Sequence, residues 1–145
     1  MVAIDFSNAQ LQLKNENGKV YVLDSIRKKW LVLTPEEHIR QCLLQYLINE
    51  MHYPIAKIAV EKKILVNGRT KRFDIVVYNQ QLTPWILIEC KEPSVPINDS
   101  VLFQLLTYQR TIRSDFWVIT NGHETFCADA RDPHNIQWMH QLPPY

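Results

Sequence analysis

Three glycines in 145 residues are too few for the glycine-rich loops that cradle nucleotide phosphates. No G-x-x-x-x-G-K-[ST] run is present, which excludes a P-loop motor on this chain. The three cysteines, Cys42, Cys90 and Cys127, are odd in number, widely spaced and form no C-x-x-C pair. That argues against a disulfide framework or a zinc site, and for a reducing, cytoplasmic setting. No apolar run approaches the ~20 residues that a membrane span needs. The N-terminus lacks the basic stretch followed by an apolar one that marks a secretory signal. No Ser or Cys stands in a G-x-S-x-G or paired Cys/His context, so no nucleophile is read. His38, His52, His123, His134 and His140 show no metal spacing, and His38 is expected to face solvent. Charge of one sign is also missing: a formal net charge of +1 neither demands nor excludes a polyanionic partner.

What is present is an ordinary globular composition, 46% hydrophobic and 21% charged, in a length that suits one domain with its own core. We read residues 1–145 as a single domain with its core at about 20–127. Residues 1–18 are expected to be a loose arm and the stretch after Arg131 a peripheral tail. Val20–Leu23 and Trp30–Leu33 read as short strands. Thr34, Pro35 and Glu37 form an N-cap, N1 proline and capping box, opening a helix to about Met51 with Ile39, Leu43, Leu44, Leu47 and Ile48 as its apolar stripe. Residues 58–66 and 69–78 read as strands joined at Asn67-Gly68, a two-residue hairpin signal. A loop at 79–84 leads to a third strand ending at Lys91. Asn98 or Asp99 caps a second helix, with Val101, Leu105, Tyr108 and Ile112 at helical spacing. Residues 116–120 read as a buried strand, and 124–127 as another. A helix between two strands of one sheet makes a right-handed crossover, so strand 116–120 should run parallel to its neighbour. The fold class is therefore α/β, a mixed sheet flanked by helices.

The most informative residues are Asp74, in Phe73-Asp74-Ile75-Val76-Val77-Tyr78, and Glu89-Cys90-Lys91, closing Trp85-Ile86-Leu87-Ile88-Glu89-Cys90-Lys91. Acids inside apolar runs are costly unless compensated. Alternation puts Arg72, Asp74, Val76 and Tyr78 on one face, and Trp85, Leu87, Glu89 and Lys91 on one face, with Cys90 pointing into the core. Symmetric pairing about Gln81 and Leu82 sets Tyr78 against Trp85, Val76 against Leu87 and Asp74 against Glu89. Opposed Cβ atoms lie ~5 Å apart, where like charges repel. A hard cation such as Mg²⁺ would turn that repulsion into ligation. Lys91 could then orient a water or stabilise charge building on phosphorus.

This arrangement resembles the PD-(D/E)-x-K nuclease superfamily, and within it the N-terminal domain of type I restriction enzyme R subunits in a small stand-alone form. The likeness is carried by Leu33-Thr34-Pro35-Glu36-Glu37-His38-Ile39-Arg40-Gln41, Arg72 to Tyr78, Ile88-Glu89-Cys90-Lys91 and Gln104-Leu105-Leu106-Thr107-Tyr108. Phe73 departs from it, standing where the superfamily name has a proline that bears no chemistry. The resemblance implies a restriction-endonuclease-like αβββαβ core, Mg²⁺ dependence (Mn²⁺ substituting) and hydrolysis of DNA phosphodiesters. Asp74, Glu89 and the Cys90 carbonyl would be the metal ligands, and Lys91 would assist the attacking water. Either Glu36 or Glu37 could complete the metal shell, although acids in a first helical turn also serve the dipole. Glu36 lies near the Ile39, Leu43, Leu47 stripe; Glu37 aligns with Arg40, Leu44 and Ile48.

Gln104 and Tyr108 match a Q-x-x-x-Y pattern that orders the site and the nucleic acid strand in RecB-like members, or they border the core. Lys62, Lys63, Arg69, Lys71 and Arg72 crowd one hairpin, where they could pair with phosphates or form a charged edge that resists aggregation. The expected partners are DNA and other restriction-system subunits, and cutting both strands with one site per chain would favour a homodimer. The competing reading is a catalytically idle nuclease-fold module for DNA binding or partner docking.

Overall fold

The computed structural model describes residues 1–107 and 112–145. A three-stranded antiparallel sheet comes first: β1 (Leu13–Glu16), β2 (Lys19–Leu23) and β3 (Trp30–Val32). It incorporates part of the stretch expected to be a loose arm. The Val2 side chain is also buried, and its amide donates to the Thr125 carbonyl at 2.8 Å. The arm is thus tied down by strand pairing and by burial of Val2.

Helix α1 (Pro35–Gln45) starts as its sequence directs, with Thr34 accepting from the Glu37 amide at 3.1 Å and Pro35 at N1. It continues as a π-helical turn over Tyr46–Glu50. Ile39, Leu43, Leu44 and Leu47 are buried along one face.

The large sheet has the order β4 (Ile58–Val66), β5 (Arg69–Tyr78), β6 (Pro84–Cys90), β7 (Phe116–Thr120), β8 (Thr125–Asp129) and β9 (Gln137–Met139). Asn67 and Gly68 turn the β4–β5 hairpin with φ of 50° and 76°, the left-handed pair a tight two-residue loop requires. Helix α2 (Asp99–Thr107) crosses from β6 to β7, and those two strands are parallel as expected. Asn98 is its cap, its side chain accepting from the Val101 amide at 3.0 Å. Tyr108 lies outside the described residues, and Ile112 is buried but no longer helical. The tail adds β9 to the sheet and buries Leu142 and Pro143.

Both faces of the sheet are covered, which is why β6 reads as a nearly continuous apolar run. Ile75, Val77, Ile86, Ile88, Cys90 and Val118 pack with α1, while Val76, Leu87, Trp117 and Ile119 pack with Leu105 of α2. Val76 pairs with Leu87 as the alternation predicts, but Tyr78 pairs with Pro84, not Trp85. A register shift at Val77/Tyr78 accounts for the difference.

Candidate functional site

The β5–β6 ladder ends at Ile75↔Ile88. One further step in register places Asp74 level with Glu89, at the mouth where the two strands part. Asp74 bridges that mouth: its Oδ2 accepts from the Cys90 amide at 2.8 Å. Phe73 packs in the same α2-side cluster as Val76, so strict alternation fails across Asp74. On β4, Glu61 falls between the pairs Val60↔Ile75 and Lys62↔Phe73, with a φ of 52°. Left-handed backbone at a non-glycine residue is a local distortion. It sits directly across from Asp74, where the expected shared face of Arg72, Asp74 and Val76 breaks down.

The residue that organises this side is Arg40, which the sequence reading did not place in the site. Its guanidinium grips Glu37 with two nitrogens, Nε donating to Oε2 at 2.8 Å and Nη2 to Oε1. That fork fixes Nη1, which donates to Asp74 Oδ1 at 3.2 Å and Glu61 Oε1 at 3.3 Å. Burial works against the Arg40 charge, but Glu37, then Asp74 and Glu61, hold it firmly protonated. Glu61 Oε2 takes a second cation, Arg27 Nη1, at 2.9 Å. Arg27 in turn clamps the fully buried Asp24, and Gln41 bridges Asp24 and Glu37. Arg40 was signalled by its place beside the apolar stripe of α1. A buried arginine needs acids in reach. Glu61 had no comparable signal, because its role comes from a left-handed backbone.

Glu89 is held differently. It is largely buried, and among the described residues its Oε1 has no hydrogen bond. The Lys71 ammonium forms an ion pair with it at 3.5 Å, too long for a well-made hydrogen bond. Burial pushes the Glu89 carboxyl up to about 7, the neighbouring Asp74 charge adds to the rise, and Lys71 and Lys91 oppose it. Burial raises Asp74 as well, against the pull of the Cys90 amide, Arg40, Lys91 and Lys71. A cleft between β6 and α2 brings Glu89 and Lys91 together with Lys71 and Gln104, over a floor that includes Val101 and Leu105.

Several predicted residues are therefore assembled here: Asp74, Glu89, Lys91, Lys71 and Gln104. Glu36 and Glu37 separate clearly. Glu37 is buried and committed to Arg40 and Gln41. Glu36 is exposed, yet it lies close enough to Asp74 that this charge, after its own burial, raises its carboxyl. Lys62, Lys63 and Arg69 project from the exposed part of the hairpin. Arg72 is exposed, and its charge is felt at Glu61. His38 faces solvent as expected. All three cysteines are free and buried. No described helix is long and apolar enough to cross a membrane.

Among the described residues no three His, Cys, Asp or Glu side chains converge as a ready-made metal cage. Two carboxylates do meet at the mouth, one with an unsatisfied buried oxygen. That donor set fits Mg²⁺, which takes few protein oxygens and keeps its waters.

No curated protein matches the chain. Among solved structures, a fragment described as an HsdR subunit of a type I restriction enzyme from Vibrio vulnificus YJ016 shares the fold. Its TM-score is 0.56 at 18% identity, over 77% of this chain and 24% of that one. The present chain thus spans about a quarter of the length of that solved fragment. The family profile for the type I restriction enzyme R protein N terminus (HSDR_N) matches residues 35–143, from the start of α1 through β9, leaving β1–β3 outside. This chain belongs to the type I restriction enzyme R protein N-terminal family.

Proposed function

We propose that this protein is a Mg²⁺-dependent nuclease that hydrolyses DNA phosphodiester bonds, with Mn²⁺ able to substitute, and that Asp74, Glu89 and Lys91 form its centre. The observation carrying this reading is the buried, hydrogen-bond-free Oε1 of Glu89, beside a second carboxylate and a lysine. Such an atom, met only by an ammonium at 3.5 Å, leaves part of its desolvation cost uncompensated, which is understandable where a ligand is to fill the position. Asp74, Glu89 and the Cys90 carbonyl would hold the cation, with Glu36 reaching it through water. When bound, Mg²⁺ would acidify a water and neutralise charge on the phosphoryl oxygens.

The chain's own groups do the rest. Arg40 fixes the Asp74 carboxylate through Oδ1. Lys91 orients the attacking water or meets charge developing on phosphorus. Gln104 lines the cleft that would receive the scissile group. Lys71, Arg72, Lys62, Lys63 and Arg69 offer cations to flanking phosphates. Double-strand cleavage would call for two copies, and other restriction-system subunits are the expected partners in a cytoplasm that keeps the thiols reduced. In a plasmid-nicking assay with Mg²⁺, Asp74→Ala should abolish cleavage and Lys91→Ala should slow it about 10²–10³-fold. Undiminished nicking by Lys91→Ala would point to a contaminating nuclease.

One observation favours the alternative of an idle module for DNA binding or partner docking: each acid already has an internal cation, Arg40 for Asp74 and Lys71 for Glu89. Metal-dependent thermal stabilisation separates the two. A shift with Mg²⁺ or Mn²⁺ that Asp74→Ala removes supports the nuclease; identical responses support the module.

A further inference from the structure

The β1–β3 sheet lies outside the family-matched residues, and its two faces differ. On one, Val22 is fully buried at the centre while Leu13 and Val20 are exposed towards the β1–β2 end. The register places Lys14, Tyr21 and Val32 in a row across the other, with Glu16 opposite Lys19 and Leu23 opposite Trp30 on either side. This face stays open: Trp30 is 40% and Val32 49% exposed. The Lys14 ammonium stands 4.7 Å from the Trp30 ring centroid and 5.8 Å from that of Tyr21, and pairs with Glu16 at 3.2 Å. Exposed Lys19 flanks the rings at one end, and Lys28 and Lys29 at the other.

From this juxtaposition we propose that the outer face of the β1–β3 sheet is a platform for single-stranded nucleic acid, with Tyr21 and Trp30 stacking bases and Lys14, Lys19, Lys28 and Lys29 meeting phosphates. Aromatic rings interleaved with cations suit a chain whose bases are unstacked, because every base offers a ring face and every link a negative charge; Lys14, which lies over both rings, would swing to a phosphate as a base stacks. A duplex buries those base faces. An apolar protein partner would have to bury Lys14 and Glu16 at a desolvation cost. With Lys14 paired to Glu16, exposed Lys19 and the exposed loop residues Lys28 and Lys29 leave the strands and their connection with an excess of positive charge, the sign a polyanion requires. The platform also connects to the acid pair. Arg27, next to Lys28, pairs with Glu61, which shares Arg40 with Asp74. The inference deepens the nuclease reading by naming the form of substrate gathered beside the centre, and it depends on that reading only for cleavage.

The test is fluorescence anisotropy of a labelled fifteen-nucleotide oligo-dT with the full chain, in EDTA, at low and moderate salt. Cleavage chemistry plays no part there, so failure of the nuclease reading leaves the result standing. Wild type should bind, and more tightly than it binds a duplex of the same length. Trp30→Ala should weaken binding about tenfold while Trp30→Phe retains it, and both variants should keep the wild-type melting midpoint. Replacing Lys28 and Lys29 by Ala should flatten the salt dependence, by about 0.7 in slope per lost phosphate contact. Equal affinity of Trp30→Ala and wild type would overturn the proposal. So would a duplex, or poly-glutamate, binding as well as oligo-dT, since that would show charge attraction without stacking.

Discussion

Asp74 and Glu89 sit across the same gap between β5 and β6, yet the fold treats them in opposite ways. Both Asp74 oxygens are spoken for, Oδ1 by Arg40 and Oδ2 by the Cys90 amide. Arg40 is itself fixed by a two-nitrogen grip on Glu37 and shared with Glu61. Among the described residues Glu89 has one ion-pair partner, the partly exposed Lys71 at 3.5 Å, and a buried oxygen without a hydrogen bond. One acid is positioned by a closed network; the other is held in reserve. The difference teaches where each acid's cost is met: by a closed network for Asp74, and only in part, by Lys71, for Glu89.

The hardest blow to the network should come from Arg40→Ala. It strands Glu37 and Asp74 as buried charges, and breaking such a pair from one side costs about 3–5 kcal/mol. Lys71→Ala should cost under about 1 kcal/mol, because that lysine is partly exposed and its geometry loose. Urea denaturation of the two variants measures the contrast directly, and equal losses would erase it.

Glu89 should respond the other way. Its carboxyl lies near 7 in the folded chain against an ordinary 4.5, so the folded state holds more protons between those values. The Glu89 contribution to stability therefore falls as pH rises from about 4.5 to about 7 and levels off above, by up to about 3 kcal/mol. Glu89→Gln should flatten this slope and stabilise the protein at pH 8, whereas Asp74→Asn should destabilise it by loosening Arg40. Asp74 and Glu36, whose carboxyls are also raised, leave a smaller slope of the same sign; thermal melts in which Glu89→Gln stays as steep as the wild type would contradict the assignment.

Smaller effects probe how α1 is placed behind the acids. Gly122 has a φ of +89°, and a Cβ there would run into the Ile39 side chain. Gly122→Ala should cost about 1–3 kcal/mol. Thr34→Ala, which removes the cap from the Glu37 amide, should cost about 1 kcal/mol. Both are expected to lower the melting midpoint without changing the pH slope set by Glu89.

The core elements were legible because their signals are local. The Thr34-Pro35-Glu37 start, the Asn67-Gly68 turn and the apolar run of β6 each state their geometry within a few residues. Asn17-Gly18 carries the same left-handed pair, φ of 52° and 79°, but its flanks alternate too weakly to announce β1. The pairing of Tyr78 was misread because symmetry about the loop ignored a register shift beside Pro84. At the site, Asp74, Glu89 and Lys91 stood out as charges in apolar runs. Arg40 offered only its place beside the apolar stripe of α1 and Glu61 offered nothing, since their meaning comes from a helix and an edge strand brought together by tertiary packing.

The central claim is that Glu89 and Asp74 form a site awaiting a divalent cation. Isothermal titration of Mn²⁺ into the full chain at pH 6.5, in two buffers of different ionisation enthalpy, tests it most directly. The account predicts one site with proton release in the wild type, because a carboxyl near 7 must shed its proton to ligate, and loss of that site in Glu89→Gln and in Asp74→Ala. Binding of equal affinity in all three, with no protons released, would contradict it.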